Sequence, residues 1–310
     1  MTHTLALGTG AEFDAIRGMI DRWGSRARGI GDDAAVLAVP RGDQLVASVD
    51  TAVEDRHFKA EWLTPREISY RAVAAALSDL AAMASRPLGV LVAMTVPERW
   101  RDRLPQLADG IADALDVAGT TIRGGNLSDG SELSITTTVL GSTFAPVGRD
   151  GARVGDGVYV TGSLGAPAAA LRLFSKGASP GIYRERFAHP VPRIAEARWL
   201  AERGASAAID ISDGLVADVG HVAAASGVGI ELDALRVPRF TGVAIDDALV
   251  SAEEYELVVT SATEFDSDEF ERRFSLSLTR IGTVTSMTNS PVVVHGARVD
   301  GARGYDHFSS

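Results

Sequence analysis

The chain contains no cysteine among its 310 residues. This excludes disulfide bonds, a thiolate nucleophile and zinc held by sulfur. Long hydrophobic runs are also missing, because no apolar stretch approaches the roughly 20 residues needed to span a bilayer. The first residues, Met1 to Thr4, include no basic segment leading into an apolar stretch, as a secretory signal would. We therefore expect a soluble cytoplasmic protein with no membrane partner.

Basic charge is scarce. The sequence has 30 Lys and Arg residues against 41 Asp and Glu residues, which gives a formal net charge of -11. The resulting negative electrostatic potential argues against nucleic acid or an anionic membrane as the main partner, because no cluster of Lys and Arg offsets it. A phosphate-rich substrate would need metal ions to approach such a surface.

Several common catalytic signatures are absent. The sequence lacks G-x-x-x-x-G-K-[ST], a G-x-G-x-x-G after a predicted strand, H-E-x-x-H and G-x-S-x-G. P-loop proteins, dinucleotide-binding folds, zinc proteases and α/β-hydrolases therefore lose support. The histidines are scattered, and His57, which follows an acidic segment, is the best candidate to touch a substrate anion.

The chain instead carries a series of acidic or amide residues beside glycine or serine, most of them at the ends of predicted strands. They are Gly31-Asp32-Asp33, Asp50, Ser78-Asp79, Gly125-Asn126 and Asp210-Ile211-Ser212-Asp213-Gly214. Because each adjoins an apolar run, folding should partly bury several of them, and unpaired buried charge is costly. Oxygen ligands without cysteine or a close histidine pair suit Mg2+, which then usually carries a phosphate ligand.

Each motif also has a simpler explanation. The first could be an acidic turn. Asp79 lies in an alanine-rich predicted helix and could be an exposed residue or part of a salt bridge. After the last motif, the first amides of the following helix could bind a phosphate. Ser212 or Asp213 could instead be only the N-cap of that helix.

Hydrophobic periodicity predicts an α/β (α+β) chain of two domains. In the first half we expect helices over 12–23, 65–83 and 104–118 and strands over 34–39, 44–49, 88–96, 121–123 and 132–140. In the second half we expect helices over 166–174, 193–203 and 215–226 and strands over 158–161, 207–211, 229–232, 255–260 and 292–294. Thr64 to Glu67 has the pattern of a capping box. Glycine, proline and charge replace the periodicity near residue 148, which predicts domains over 1–147 and 148–310.

Together, these segments resemble the thiamine-monophosphate kinase family, part of the aminoimidazole ribonucleotide synthetase-like ATP-binding superfamily. The resemblance rests on eight stretches in order: 29–37 (GIGDDAAVL), 48–58 (SVDTAVEDRHF), 77–83 (LSDLAAM), 124–126 leading into 133–141, 155–162 (GDGVYVTG), 208–221 (AIDISDGLVADVGH), 252–257 (AEEYEL) and 304–308 (GYDHF). Each stretch is weak alone, but the ordered set covers nearly the whole chain. The last two favour this kinase over its superfamily relatives.

The resemblance implies which residues form the site. The residues expected to bind Mg2+ are Asp33, Ser48, Asp50, Asp79, Asn126, Asp210 and Asp213. Those expected along ATP are Gly125, Asn126, Arg149 and Ser212. Those expected to contact thiamine monophosphate are His57, Glu253 and Phe308, and the expected catalytic set is Asp79, Asp210, Asp213 and Arg149.

The resemblance also implies an architecture and a reaction. An N-terminal ATP- and metal-binding domain with a mixed sheet would pair with its twin in a homodimer to build a shared barrel. A C-terminal α/β domain would complete the active site. The implied reaction is Mg2+-dependent transfer of the ATP γ-phosphoryl group to the phosphate of thiamine monophosphate, which yields thiamine diphosphate and ADP.

The chain departs from the family pattern at several positions. Val49 stands where the family usually has Thr, Asn126 where it has Asp, and Ser251-Ala252-Glu253-Glu254 where it has Gly-Gly-Glu-Asp. Asn126 keeps an oxygen ligand but lacks one negative charge. Two alternatives therefore stay open: a kinase or synthetase with another phosphate acceptor, and a catalytically impaired Mg-nucleotide-binding protein of the same fold.

Overall fold

The chain folds as an α/β protein of two compact units. The computed structural model describes residues 10–30, 34–287 and 290–297. The N-terminal unit comprises Met1–Leu80 and Ser85–Ala145, and the C-terminal unit comprises Ala81–Ala84 and Pro146–Ser310. Within the described ranges, no helix combines the length and hydropathy required of a bilayer-spanning segment.

The N-terminal unit alternates helices and strands, as the sequence predicts. Its helices are α1 (Ala11–Trp23), α2 (Pro65–Ala82) and α3 (Leu104–Ala118). Its strands are β1 (Gln44–Val53), β2 (Arg86–Thr95), β3 (Ile122–Ser128) and β4 (Ser134–Thr143). The predicted strand over 34–39 is wrong, because this segment is irregular and Val36 is 87% exposed. The carbonyl of Val36 accepts a hydrogen bond from the side chain of Arg123 instead of from a neighbouring strand.

Helix α2 begins at the predicted capping box. The backbone N–H of Thr64 donates to Glu67 Oε2 at 2.8 Å, and the N–H of Glu67 donates to Thr64 Oγ1 at 3.3 Å. Pro65, the first helical residue, has no N–H that would need an acceptor. Helix α3 packs closely on α2, since a Cβ at Gly110 would lie 1.9 Å from the carbonyl oxygen of Arg66. Glycine is therefore required at this helix crossing.

The N-terminal sheet has the order β1-β4-β2-β3, in which β2 and β3 run parallel and the other pairs antiparallel. This is the predicted mixed sheet. One face is covered, because Thr137 and Val139 of β4 are fully buried, and a Cβ at Gly141 would lie 3.1 Å from Leu80 of α2. The opposite face, here termed the open face, carries residues 45, 47, 49 and 51 of β1, all of them exposed, and residues 136, 138 and 140 of β4.

The C-terminal unit is built on a second sheet. Its strands are β5 (Gly157–Thr161), β6 (Ala205–Asp210), β7 (Gly229–Asp233), β8 (Leu257–Ser261), β9 (Leu278–Thr285) and β10 (Val292–His295). Its helices are α4 (Ala166–Phe174), α5 (Arg184–Ala188), α6 (Ile194–Glu202), α7 (Leu215–Ser226), α8 (Ile245–Leu249) and α9 (Ser267–Phe274). The strand order is β10-β7-β9-β5-β8-β6, in which only the β10–β7 pair is parallel.

Strand β6 and helix α7 form the rigid support of the predicted acidic loop over 210–214. Ile209 and Ile211 are buried at the end of the strand, and Val219 and Val222 of α7 are buried in the same apolar core. Burial of aliphatic side chains on both sides of the loop fixes its two ends. The loop residues are therefore held at the edge of a packed core.

Candidate active site

Ser48, Asp50 and Asp79 lie together in the N-terminal unit. Ser48 and Asp50 alternate along β1 and are opposite Val139 and Thr137, which places both on the covered side of the sheet. The hydroxyl of Ser48 donates a hydrogen bond to Asp79 Oδ2 at 2.5 Å. Three of the predicted Mg2+ ligands thus share one neighbourhood.

The electrostatic state of Asp50 reflects this crowding. Burial by surrounding atoms, and then the negative charge of Asp79, raise the pKa of Asp50 to about 6. By surface area Asp50 is nevertheless an exposed residue, so an ion can reach it. A bound cation would reduce the electrostatic repulsion between these two carboxylates.

His57 and Glu54 have different roles. The ring Nδ1 of His57 accepts a hydrogen bond from the backbone N–H of Val53 at 3.1 Å, so the neutral ring carries its proton on Nε2. Glu54 is buried and accepts hydrogen bonds from Trp100 Nε1 and from the Arg99 side chain. Glu54 is therefore a structural carboxylate, although it lies in the same acidic segment.

Gly125 and Asn126 lie on the edge strand β3. A Cβ at Gly125 would come within 2.0 Å of the carbonyl oxygen of Val92, so glycine is required by the close approach of β2. Both residues line a cavity of about 60 Å³ whose other walls are Ile30 and apolar residues of α1, β2 and β3. No charged side chain lines this cavity among the residues that the structure describes.

The sheet does not bring Asn126 to the other predicted ligands of this unit. Strands β1 and β3 are its two edges. The register aligns Asn126 with Ala93, Thr136 and Thr51 across the sheet, on the open face, whereas Asp50 is on the covered face. A shared role of Asn126 and Asp50 in metal binding therefore stays a prediction.

In the C-terminal unit, Asp210 is the last residue of β6, and Ser212 and Asp213 lie on the loop between β6 and α7. The N-cap of α7 is Gly214, with no side-chain cap hydrogen bond, so neither Ser212 nor Asp213 serves as the cap. Asp218 Oδ2 accepts hydrogen bonds from the backbone amides of residues 212, 213 and 214 at 3.0, 3.0 and 3.1 Å. Asp218 therefore occupies the amides of the loop itself, and phosphate binding at the first amides of α7, which begins at Leu215, stays a prediction.

Asp218 is a functional candidate that the sequence reasoning missed. Burial raises its pKa to about 7, the amides of Asp213 and Gly214 oppose that rise, and the negative charges of Asp213 and Asp210 add to it. Ligand atoms of Asp213, Asp218 and His221 lie within 4.8 Å of one another. A signal was present in the sequence, since acidic residues in the first turn of a helix bind the amides in front of it.

Glu253 lies directly against the same loop. Its backbone N–H donates to the carbonyl oxygen of Ser212 at 2.8 Å, and the N–H of Tyr255 donates to that of Ile211 at 2.9 Å. A Cβ at Gly214 would lie 3.0 Å from the backbone of Val250. The predicted substrate residue and the predicted metal and nucleotide residues of this unit are therefore neighbours.

Arg149 is placed differently. Its side chain is exposed, and its carbonyl oxygen accepts a hydrogen bond from Ser226, the last residue of α7. Asp213 precedes the other end of this 12-residue helix, about 18 Å away at 1.5 Å per residue. The structure does not bring the backbone of Arg149 to the acidic loop, and its role along ATP stays a prediction. Asp33 and Phe308 lie outside the described residues.

Two family models match the chain. The model described as AIR synthase related protein, N-terminal domain, matches residues 31–143, and its C-terminal counterpart matches residues 153–295. Together they cover most of the sequence and correspond in order to its two halves.

Relatives with a described activity match over most of their length. Thiamine-monophosphate kinase of Salmonella typhimurium is 36% identical over 80% of this chain and 82% of its own. The Bacillus subtilis enzyme of the same name is 31% identical over 96% of this chain and 99% of its own. Among solved structures, AaThiL complexed with AMPPCP and TMP has a TM-score of 0.77 at 29% identity, covering 99% of this chain and 100% of its own.

Proposed function

The chain belongs to the AIR synthase related family and, within it, to the thiamine-monophosphate kinases, and we propose that it transfers the γ-phosphoryl group of ATP to thiamine monophosphate. The products are thiamine diphosphate and ADP. The observation that carries the proposal is the similarity, over 99% of this chain, to a structure that holds both an ATP analogue and TMP. The contact between Glu253 and the 210–214 loop supports it from within the molecule.

The donor atoms fit Mg2+. The predicted ligands in the described residues are carboxylate, amide and hydroxyl oxygens, namely Ser48, Asp50, Asp79, Asn126, Asp210 and Asp213. Mg2+ prefers such hard oxygen ligands and is commonly shared with substrate phosphates. Burial and the neighbouring charge of Asp79 raise the pKa of Asp50, and a bound cation would stabilise the ionised form of Asp50. When bound, the metal would neutralise phosphate charge between two anionic substrates.

The protein has little proton chemistry to perform. A phosphate monoester carries a charge of about −1.5 to −2 near neutral pH, so the attacking oxygen needs no base. The γ-phosphoryl group passes directly to that oxygen as its bond to the β-phosphate of ATP breaks. The task of the aspartates is to hold and orient charge, and the task of His57 and Glu253 is to position the acceptor.

A homodimer is part of the proposal. The open face of the N-terminal sheet exposes Leu45 (56%) and Val49 (60%) beside five other residues of β1 and β4 on the same side. An exposed, continuous apolar and threonine-rich sheet face is a suitable surface for a second copy. Asn126 is on this face, so pairing would bring new residues towards it. Because the reaction consumes ATP, we place it in the cytoplasm.

The decisive experiment is a coupled assay of ADP release by the full-length protein with Mg-ATP and thiamine monophosphate. We expect ADP release to require both the acceptor and Mg2+, with thiamine diphosphate identified by chromatography. Parallel reactions with other phosphate monoesters separate this proposal from a kinase of different acceptor preference.

Two results would contradict the proposal. Mg-ATP binding without acceptor-dependent ADP release would favour the catalytically impaired alternative. A faster reaction with another phosphate monoester would retain the kinase but replace its substrate.

A further inference from the structure

The segment over 251–256 combines unusual backbone geometry with buried acidic side chains. Glu253 (φ 60°) and Tyr255 (φ 54°) both adopt the left-handed conformation, which residues with a Cβ rarely occupy. Such a conformation persists only where the surrounding contacts hold it. The contacts on the two sides of the segment therefore decide where Glu253 lies.

On one side, the backbone is tied to the acidic loop by the bonds from Glu253 N to Ser212 O and from Tyr255 N to Ile211 O. Glu256, at the end of the segment, is fully buried and accepts hydrogen bonds from Arg186 and Arg193. These contacts fix one side and the end of the segment.

On the other side, the segment caps a helix that is distant in sequence. The backbone N–H of Gly165 donates to Glu254 Oε1 at 2.5 Å, and that of Ala168 donates to Ser251 Oγ at 3.3 Å. Gly165 is the N-cap residue of α4 and, being glycine, has no side chain with which to cap the helix. Because the first amides of a helix lack partners within it, Ser251 and Glu254 supply acceptors from 83 and 89 residues away.

This anchor has little freedom to shift. Gly165 has a φ of 104°, and a Cβ there would lie 2.3 Å from Val243. Ser251 and Glu254 are 0% and 2% exposed. Burial raises the pKa of Glu254 to about 7, while the Ser251 hydroxyl and the Gly165 amide oppose the rise. Both side chains therefore depend on the same helix terminus.

The two anchoring residues are also positions where the chain departs from the family pattern. Serine in place of glycine at 251 adds a hydroxymethyl group, and glutamate in place of aspartate at 254 adds one methylene. Both additions end at the N-terminus of α4. A change in one of them alters the space and the free amides left for the other, so their effects should be coupled.

We propose that Ser251 and Glu254 form a matched pair of positioning residues that sets the affinity for the phosphate acceptor. Bound to the N-terminus of α4, they hold Glu253 against Ser212. The inference rests on the proposed function, because it takes Glu253 as a contact of thiamine monophosphate. Ser212, an expected ATP residue, is held separately by the bond from its own amide to Asp218. The pair therefore acts on the acceptor through Glu253 and not on ATP.

The test compares four full-length proteins: the wild type, Ser251→Gly, Glu254→Asp and the double variant. Each single change leaves one backbone amide at the N-terminus of α4 without its acceptor. Loss of such a helix cap costs about 1 kcal/mol, which corresponds to a change of up to about tenfold in an equilibrium constant. We expect each single variant to raise the KM for thiamine monophosphate by about tenfold, with the KM for ATP unchanged. The double variant should show a smaller rise than the product of the single effects.

Two further variants act as controls. Glu254→Gln keeps the length and one acceptor oxygen, so it should retain most of the acceptor affinity. Glu264→Asp makes the same shortening at an exposed residue of the same unit and should change neither KM.

The outcomes separate this inference from the proposed function. If the wild type is active, three results would overturn the matched pair. The first is that the variants raise the KM values for ATP and thiamine monophosphate alike, and the second is that they lower thermal stability without changing either KM. The third is that the KM increase of the double variant equals the product of the two single increases. A wild type that releases no ADP with thiamine monophosphate would overturn the proposed function, and the role in acceptor binding with it.

Discussion

Individual carboxylates of the C-terminal unit differ in what surrounds them, and this separates structural acids from acids that can serve a ligand. Glu256 is enclosed by two arginines, and Asp218 is bound to three backbone amides. Asp213 is only half-buried and lies at the edge of the core. Of these three acids, Asp213 is therefore the most open to an incoming cation, with the buried Asp218 beside it as a second candidate ligand.

Replacing Asp213 with Asn keeps the side-chain shape and removes its charge. We expect turnover to fall by about 10- to 100-fold and the Mg2+ concentration for half-maximal rate to rise, because Asp213 is a proposed metal ligand and the change removes its charge. Thermal unfolding should change little, since the backbone N–H of Asp213 still binds Asp218. Steady-state kinetics with a Mg2+ titration measure the first effect, and calorimetry measures the second.

The matched control is Asp129→Asn, whose side chain is 75% exposed on the surface. It should leave turnover unchanged. A folded Asp213→Asn protein with a near-normal rate would remove this residue from the metal site.

Glu256 should make the protein sensitive to acid. Burial alone would raise its pKa, but Arg193 and Arg186 outweigh burial and hold the pKa at about 2, below the ordinary value of 4.5. The stabilisation is therefore complete above about pH 4.5 and is lost as the pH falls towards 2. We expect Glu256→Gln to reduce the free energy of unfolding at pH 7 by about 3–5 kcal/mol, because it removes the buried carboxylate that pairs with Arg186 and Arg193 and leaves Arg193 only the longer contact with Glu196 at 3.6 Å.

Urea unfolding between pH 7 and pH 3 measures this effect. The wild type should lose stability over the acid range more steeply than Glu256→Gln. Glu271→Gln, on the exposed side of α9, is the control and should retain the wild-type dependence. Parallel curves for wild type and Glu256→Gln would show that Glu256 does not carry the acid sensitivity.

At the scale of elements, strongly periodic segments were predictable and irregular ones were not. Helices α3, α4 and α7 have the predicted bounds, because each has a clear apolar face and a defined start or stop. Strand β9 was missed, since its buried residues Leu278, Ile281 and Val284 recur every third position instead of every second. Helix α9 was also missed because it is short and mostly polar, with only Phe270 buried.

Glycine positions in strands test the packing of these elements directly. Gly125→Ala would place a Cβ 2.0 Å from the carbonyl oxygen of Val92, so β3 must move away from β2. We expect destabilisation of about 1–3 kcal/mol, as for overpacking in a core, and a drop in Tm of several degrees. Gly18→Ala, in α1 with nothing within 4 Å, should instead stabilise the protein by about 0.5–1 kcal/mol.

Thermal unfolding of the two variants measures the difference. Because the substitution is the same, any general effect of Gly→Ala on the unfolded chain is shared by both. Equal Tm shifts would show that β3 does not approach β2 as closely as the structure has it.

At the scale of the whole molecule, the sequence predicted the family and the acidic segments better than it predicted their arrangement. Asp50 and Asp79 were singled out by their positions at a predicted strand and in an alanine-rich predicted helix. The placement of Asn126 on the opposite face depends on the strand order β1-β4-β2-β3. Strand order follows from long-range pairing, which local patterns do not encode. The same holds for the contact of Glu253 with Ser212, which joins two loops far apart in the sequence.

The proposed homodimer gives the whole-molecule prediction. Light scattering of the wild type should yield twice the mass of one chain at micromolar concentration. Leu45→Lys places a charge on the open face, where Leu45 is 56% exposed, and should produce a monomer because burying an unpaired charge in an interface is costly. Val117→Lys, at a residue of α3 that is 51% exposed, is the matched control and should remain dimeric. If the wild type is itself a monomer at the concentration of the kinetic assay, the homodimer is excluded, and the site must be completed within one chain.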